Sequence, residues 1–290
     1  MATCLVEFDK SPTVFSPGDK VTGNVKMQIP EDEFKARKVR MEMIGKAYTY
    51  WEGNVKNNHK IKNGDIARVR HNCADHKGKI VYCRFETIVW KSDGSKNDMP
   101  SGQHIFPFSF QLPHWAPPSF EGDLGFIRYF IKVEIDRPWK FDDKFITCLT
   151  VLPSIDLSLI PNSLVPSKKH ICEQFGVVLC KSGLVKMEDI KISKNEKDEV
   201  DKSITIPPLP PSTKTCEIID VEYFLKVKMS TLGTLKSAMK LELPFIIGTV
   251  PVDKDRKFDY KKSVFGYAAT VLKNRDVQKF APLYPVYKFE

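Results

Sequence analysis

The chain has 290 residues, 42% of them hydrophobic and 28% charged, a balance that can bury one large core or two ordinary ones and excludes a disordered chain. No apolar run reaches the roughly 20 residues that a membrane-spanning helix needs, and the opening MATCLVEFDKSP has charges where a signal peptide carries its apolar stretch. The formal net charge of +9 favours anionic partners such as phosphorylated tails or an acidic membrane surface. The expected location is the cytoplasm, with seven scattered cysteines (Cys4, Cys73, Cys83, Cys148, Cys172, Cys180 and Cys216) that suit reduced thiols rather than a disulfide framework.

Near the start, LVEFDKSPTVFSPGDKVTGNVKMQI gives short alternating apolar runs around Ser16-Pro17-Gly18-Asp19. Proline presets φ and glycine accepts φ > 0, so a tight turn between strands is expected there. KARKVRMEMIGKAYTYW then alternates through Val39, Met41, Met43 and Ile44, and KIVYCRFETIVW through Val81, Cys83, Phe85 and Thr87. Further on, Phe106, Phe108, Phe110 and Leu112 line one side of a strand that Pro113, Pro117 and Pro118 terminate. Ile127, Tyr129, Ile131, Val133 and Ile135 form the apolar row of the next strand, with Arg128, Lys132 and Glu134 on its other face. Many short strands divided by turn signals, without a long 3.6-residue period, predict an all-β sandwich.

The pattern repeats. ITIPPLPPSTKTCEIIDVEYFLKVKM, residues 204–229, again sets a proline break before an alternating strand. Pro210-Pro211-Ser212 matches Pro117-Pro118-Ser119, and Tyr223 takes the place of Tyr129. Each copy is followed by another apolar strand, FITCLTVL in the first and LELPFIIGTV in the second. The expected organisation is two immunoglobulin-like β-sandwiches in tandem, at 1–153 and 168–253, with a stiff proline-bearing linker at 154–167 and a tail at 254–290.

FSPGDKVTGNV, the long segment FPFSFQLPHWAPPSFEGDLGFIRYFIKVEIDRPWKFD, CEQFGVVLCKSG and DKSITIPPLPPSTKTCEIIDVEYFLKVK fall in one order along most of the chain. Together they resemble the alpha-arrestins, the arrestin domain-containing proteins. The resemblance implies two arrestin-type sandwiches in a non-enzymatic adaptor that works without a cofactor. Such adaptors act in endocytosis, sorting and ubiquitin-linked down-regulation, peripherally at the plasma membrane or endosomes. The implied partners are cytosolic segments of membrane receptors or transporters, and HECT-type ubiquitin ligases reached through Pro-Pro-x-Tyr motifs.

Two departures stand out. Between CKSGLVKMEDIKIS and DKSITIPP the family has several strands, whereas this chain has only the charged run KNEKDEV, so the second sandwich is expected to be incomplete. No Pro-Pro-x-Tyr occurs, which favours as alternative a truncated competitor that holds cargo without recruiting a ligase. The end of the chain, APLYPVYKFE, offers Pro282, Tyr284, Pro285 and Tyr287 as candidate tail contacts, against the simpler reading of a frayed or docked tail.

Because arrestin-type folds use basic surfaces to sense phosphate, Arg128, Lys132, Arg137 and Lys140 are the candidate phosphate- or protein-binding residues; an arginine can hold phosphate bidentately while nearby lysines add field. His71, Cys73, His76 and Cys83 are zinc-ligand types but match no compact zinc spacing. No signature surrounds a cysteine nucleophile, and no glycine-rich phosphate loop follows a strand. A zinc- or thiol-dependent enzyme is thus the distant alternative, and the sequence offers no nucleic-acid recognition motif.

Overall fold

The computed structural model describes residues 2–31, 34–55, 72–94, 98–161, 205–230, 238–251, 256–265 and 279–287. Within them the chain is built of strands and one short 3-10 turn. The first sandwich sets a three-stranded sheet against a larger one. In the smaller sheet, β3 (Lys20–Ile29) lies between β1 (Thr3–Phe8) and β6 (Gly102–Gln111). The larger sheet runs in the order β2 (Val14–Phe15), β9 (Asp143–Val151), β8 (Gly125–Asp136), β4 (Lys38–Val55), β5 (Asn72–Lys91), and the short β7 (Phe120–Gly122) pairs with β8.

Alternation decides which side chains meet between the sheets, since successive residues of a strand point to opposite faces. Val21, Val25, Met27 and Ile29 of β3 are buried, as are Val39, Met41 and Met43 of β4 and Ile127, Tyr129, Ile131, Val133 and Ile135 of β8. Burial of each large side chain stabilises by roughly 1.5–3 kcal/mol, and a slip of one residue would expose the whole row, so the register is fixed. The predicted turn is present: Asp19 N–H donates to the Ser16 carbonyl at 3.0 Å with Gly18 at φ +83°.

β5 departs from its predicted alternation. Gly45 pairs with Cys83 but Lys46 with Val81, a bulge that reverses the faces at Tyr82. Cys83 stays in the core, whereas Val81 is exposed, and Phe85 and Thr87 at the sandwich edge are exposed as well.

The sequence repeat is a structural repeat. Tyr129 Oη donates to the Pro117 carbonyl at 2.9 Å, and Tyr223 Oη to the Pro210 carbonyl at 2.7 Å. Two residues beyond each of those prolines a serine clasps the closing segment in the same two ways. Ser119 N–H donates to the Val151 carbonyl at 2.8 Å while its Oγ accepts from Val151 N–H at 2.9 Å. Ser212 does the same with Ile247, at 2.9 Å in both directions. The chain therefore carries two β units in tandem, each closed by the same tyrosine and serine clasp.

Of the second, the structure describes two two-stranded ribbons, β10 (Thr213–Cys216) with β11 (Ile219–Val221) and β12 (Tyr223–Ser230) with β13 (Ala238–Phe245), and the predicted tail adds a third, β14 (Phe258–Lys262) with β15 (Leu283–Tyr287). They are tied to the first sandwich. Cys216 belongs to its core cluster, with Ile218 and Ile219 packed against it. The start of the predicted linker is pinned, because Thr249 N–H donates to the Ile155 carbonyl at 3.0 Å and Ile155 N–H donates to Thr249 Oγ1 at 2.7 Å. Residues 162–167 of that linker and the charged run near residue 196 lie outside the described residues.

Replacing Tyr129 by phenylalanine removes one hydroxyl and leaves the buried Pro117 carbonyl unpartnered. Urea unfolding of Tyr129→Phe should show a loss of about 1–2 kcal/mol, with Tyr223→Phe shifted in the same direction. An unchanged midpoint would mean that this bond does not hold the proline segment in place.

Candidate functional site

The four candidate cations lie along β8 and the turn that follows it, and they have different surroundings. β8 is central in its sheet, hydrogen-bonded to β4 on one side and to β9 and β7 on the other. Its outer row is therefore not the solvated face that the alternation predicts, and Arg128 is only 5% exposed. It donates from Nη2 to Glu121 Oε2 at 2.8 Å and from Nε to the other carboxylate oxygen, with its guanidinium 4.7 Å from the Phe126 ring centroid. Glu121 comes from β7 and is also buried. A bidentate pair of this kind is saturated, so Arg128 is not free to grip phosphate while Glu121 holds it.

Lys132 stands in a row of alternating charge that crosses three strands. Arg84 Nε of β5 donates to Glu42 Oε1 of β4 at 2.9 Å, and Lys132 Nζ donates to Glu42 Oε2 at 3.0 Å and pairs with Glu134. Arg40 continues the row, donating from Nη2 to Glu134 Oε1 at 2.9 Å and from Nη1 to Glu86 Oε1 at 3.4 Å. Burial alone would raise the Glu134 carboxyl, but Lys132 and Arg40 outweigh it and hold it at about 2. The same contest lowers Glu42, where Arg84 and Lys132 overcome burial.

Arg137 is also engaged, with Nη1 3.0 Å from Asp143 Oδ2 and its guanidinium 3.8 Å from the Phe34 ring centroid. Lys140 alone of the four is exposed, with no ion pair among the described residues. It sits between Trp139 and Phe141, which the reading of charges passed over.

Alternation also missed Lys46, which stands on the outer face of β4 next to Arg128 of β8. Burial pushes its ammonium down, with Lys79 and Arg128 adding to the effect, and it rests 5.3 Å from the Phe130 ring centroid. Its place in the polar row of KARKVRMEMIGKAYTYW was the available signal.

The tail candidates are engaged inside the chain. Tyr284 of β15 is fully buried with Val14 and Leu152, and its hydroxyl donates to the Ser119 carbonyl at 2.6 Å. Leu283 N–H donates to Thr150 Oγ1 at 3.1 Å, and Tyr287 Oη donates to the Thr249 carbonyl. Pro282 is buried and Pro285 half-buried opposite Tyr260. A partner reading Tyr284 would first have to lift β15 away.

As for the thiol and zinc alternatives, burial pushes Cys4 and Cys148 up to about 12 and Cys83 to about 11, so these three are protonated at neutral pH. His71 and the Cys73 side chain lie outside the described residues. Among those described, no helix is long and apolar enough to cross a membrane.

The described residues thus form an all-β scaffold whose sheet face is covered by ion pairs. The family model for the arrestin (or S-antigen) N-terminal domain matches residues 4–158, and that for the arrestin C-terminal domain matches residues 180–252. The chain belongs to the arrestin family, and its relatives place it among the alpha-arrestins. It is 24% identical to Arrestin domain-containing protein 17 of Caenorhabditis elegans, over 89% of this chain and 72% of that protein. It is 25% identical to Arrestin domain-containing protein 4 of Mus musculus, over 85% of this chain and 71% of that protein. With Arrestin domain-containing protein 1 of Homo sapiens it shares 29% identity over 59% of this chain but only 35% of the human protein. Proteins of this family are in general adaptors in trafficking.

Two experiments test this electrostatic arrangement. Arg128→Met, which removes the bidentate partner of buried Glu121, should lower stability by about 3–5 kcal/mol, and adding Glu121→Leu should restore most of it. The carboxyls of Glu42 and Glu134 are lower in the folded chain than the ordinary 4.5, so the unfolded chain binds more protons as pH falls below that value. Their contribution is present above pH 4.5 and is lost as pH falls toward about 2. Denaturation midpoints across that window should drop for the wild type and change less for Lys132→Met.

Proposed function

We propose that the chain is a non-enzymatic adaptor whose first sandwich binds cytosolic segments of membrane receptors or transporters. The carrying observation is the match to both arrestin domain models, 4–158 and 180–252, together with the completed first sandwich. β1 and β6 end one sheet of that sandwich, and β5 ends the other. An extended cargo segment adding to such an edge gains main-chain hydrogen bonds, and the alternate side chains of the edge strand select its sequence. The cargo-binding residues among Arg128, Lys132, Arg137 and Lys140 would begin with Lys140, since the other three are already paired.

A second reading has its own support. Without Pro-Pro-x-Tyr the chain lacks the segment that docks as a polyproline helix on WW domains, so it would hold cargo without delivering a HECT-type ligase and compete with complete adaptors. The comparison with the worm protein agrees with this. The alignment with the worm protein extends over 327 positions, more than the whole of this chain, so that relative carries stretches this one lacks.

Affinity capture with the intact chain from a membrane lysate, followed by mass spectrometry, separates the two readings. Receptors or transporters together with HECT-type ligases are the result expected of a working adaptor. The same cargo without any ligase is the competitor's result. Recovery of neither would remove the trafficking reading.

A further inference from the structure

The β8–β9 hairpin closes with the pair Ile135 and Asp143, and the turn beyond it presents Pro138-Trp139-Lys140-Phe141. Trp139 is 101% exposed and Phe141 99%. Among the described residues none covers either ring, although folding normally covers large aromatics. Trp139 also has φ +60°, and it is the only described residue other than glycine with positive φ. A left-handed backbone suits glycine or asparagine, and a bulky side chain held there points to a role beyond folding.

The base of the turn is firmly held, so the rings are presented rather than loose. Arg37 N–H donates to the Asp136 carbonyl at 2.8 Å, and the Arg37 side chain pairs with the Asp136 carboxylate. Arg137 pairs with Asp143, lies on Phe34, and donates its N–H to Asp142 Oδ1 at 3.2 Å. Asp136 and Asp143 are thereby neutralised by arginines. The charges left at the tip are Lys140 and Lys144 against Asp142, a small positive excess.

We propose that this tip anchors the protein to a phospholipid surface: Trp139 and Phe141 enter the boundary between headgroups and acyl chains, and Lys140 reaches lipid phosphate. The chemistry favours a bilayer over a protein. A protein partner would have to supply two concave pockets around a projecting turn, whereas the bilayer interface accepts aromatic rings anywhere along it and lets a lysine between them extend to the headgroups. The nearly balanced charge makes insertion of the rings the main driving force, with anionic lipid adding to it. The proposal rests on the trafficking reading only in supplying a place for the adaptor to work, and it can be tested without any cargo.

The test is co-sedimentation of the full chain with vesicles of phosphatidylcholine containing phosphatidylserine. The wild type should partition onto them, and Trp139→Ala/Phe141→Ala should lose roughly tenfold in partitioning. Trp139→Gly should lose binding while its thermal midpoint holds or rises, because glycine accepts the left-handed backbone; that result excludes unfolding as the cause. Leu159→Ser, at another exposed apolar position, should bind as the wild type does. Cargo capture from detergent-solubilised membranes should be unchanged by the tip variants, which separates failure of the anchor from failure of the adaptor reading. Absence of wild-type partitioning, or full binding by the tip variants, would overturn the proposal, as would tip variants that lose only cargo capture.

Discussion

The architecture depends on how two proline breaks are closed. A Pro-Pro segment brings no N–H to a ladder, yet its carbonyls still need donors once they are buried. In both halves a tyrosine from the following strand supplies one, Tyr129 to Pro117 and Tyr223 to Pro210. The serine after each proline pair then exchanges two hydrogen bonds with a residue that closes the unit, Val151 or Ile247. The break, the central strand and the closing segment are thus joined by a few local bonds. In the first half, Tyr284 adds a third layer by donating to the carbonyl of the same Ser119. β15 is thereby fastened where the first sandwich is closed.

This arrangement explains which parts could be read in advance. The inward row of β8, the turn at Ser16–Asp19 and the Tyr129/Tyr223 correspondence are local patterns, and each is realised. The faces of β5 were not legible, because one bulge at Tyr82 reverses them and the bulge is set by pairing with β4 rather than by β5 itself. The state of Arg128 was hidden for a related reason: Glu121, seven residues earlier, becomes its partner only when β7 folds against β8. Tail docking depends on contacts more than a hundred residues away in sequence, such as Leu283 with Thr150, and no short-range pattern announces them.

The same logic separates charge from function. A net charge of +9 suggests a basic surface, but charge attracts a partner only where it is not already compensated. On the outer face of the larger sheet, Arg40, Arg84 and Lys132 are interleaved with Glu42, Glu86 and Glu134. That row joins β5, β4 and β8 and presents little net field. Exposed ion pairs contribute modestly to stability, but Glu42 is fully buried, so its partners are required to compensate it.

What remains for recognition is therefore set by what the fold leaves unsatisfied. Among the described residues, backbone groups along the edges of the two sheets lack strand partners, and the turn between β8 and β9 projects two rings and a lysine with no ion pair. These features differ in kind. A sheet edge reads an extended peptide through directional hydrogen bonds, whereas a projecting aromatic turn suits a fluid interface that imposes no register. An adaptor must hold a cytosolic segment and stay close to the membrane from which that segment emerges, and each task needs only one of the two surfaces. Because both belong to the first sandwich, they are fixed relative to one another by its core.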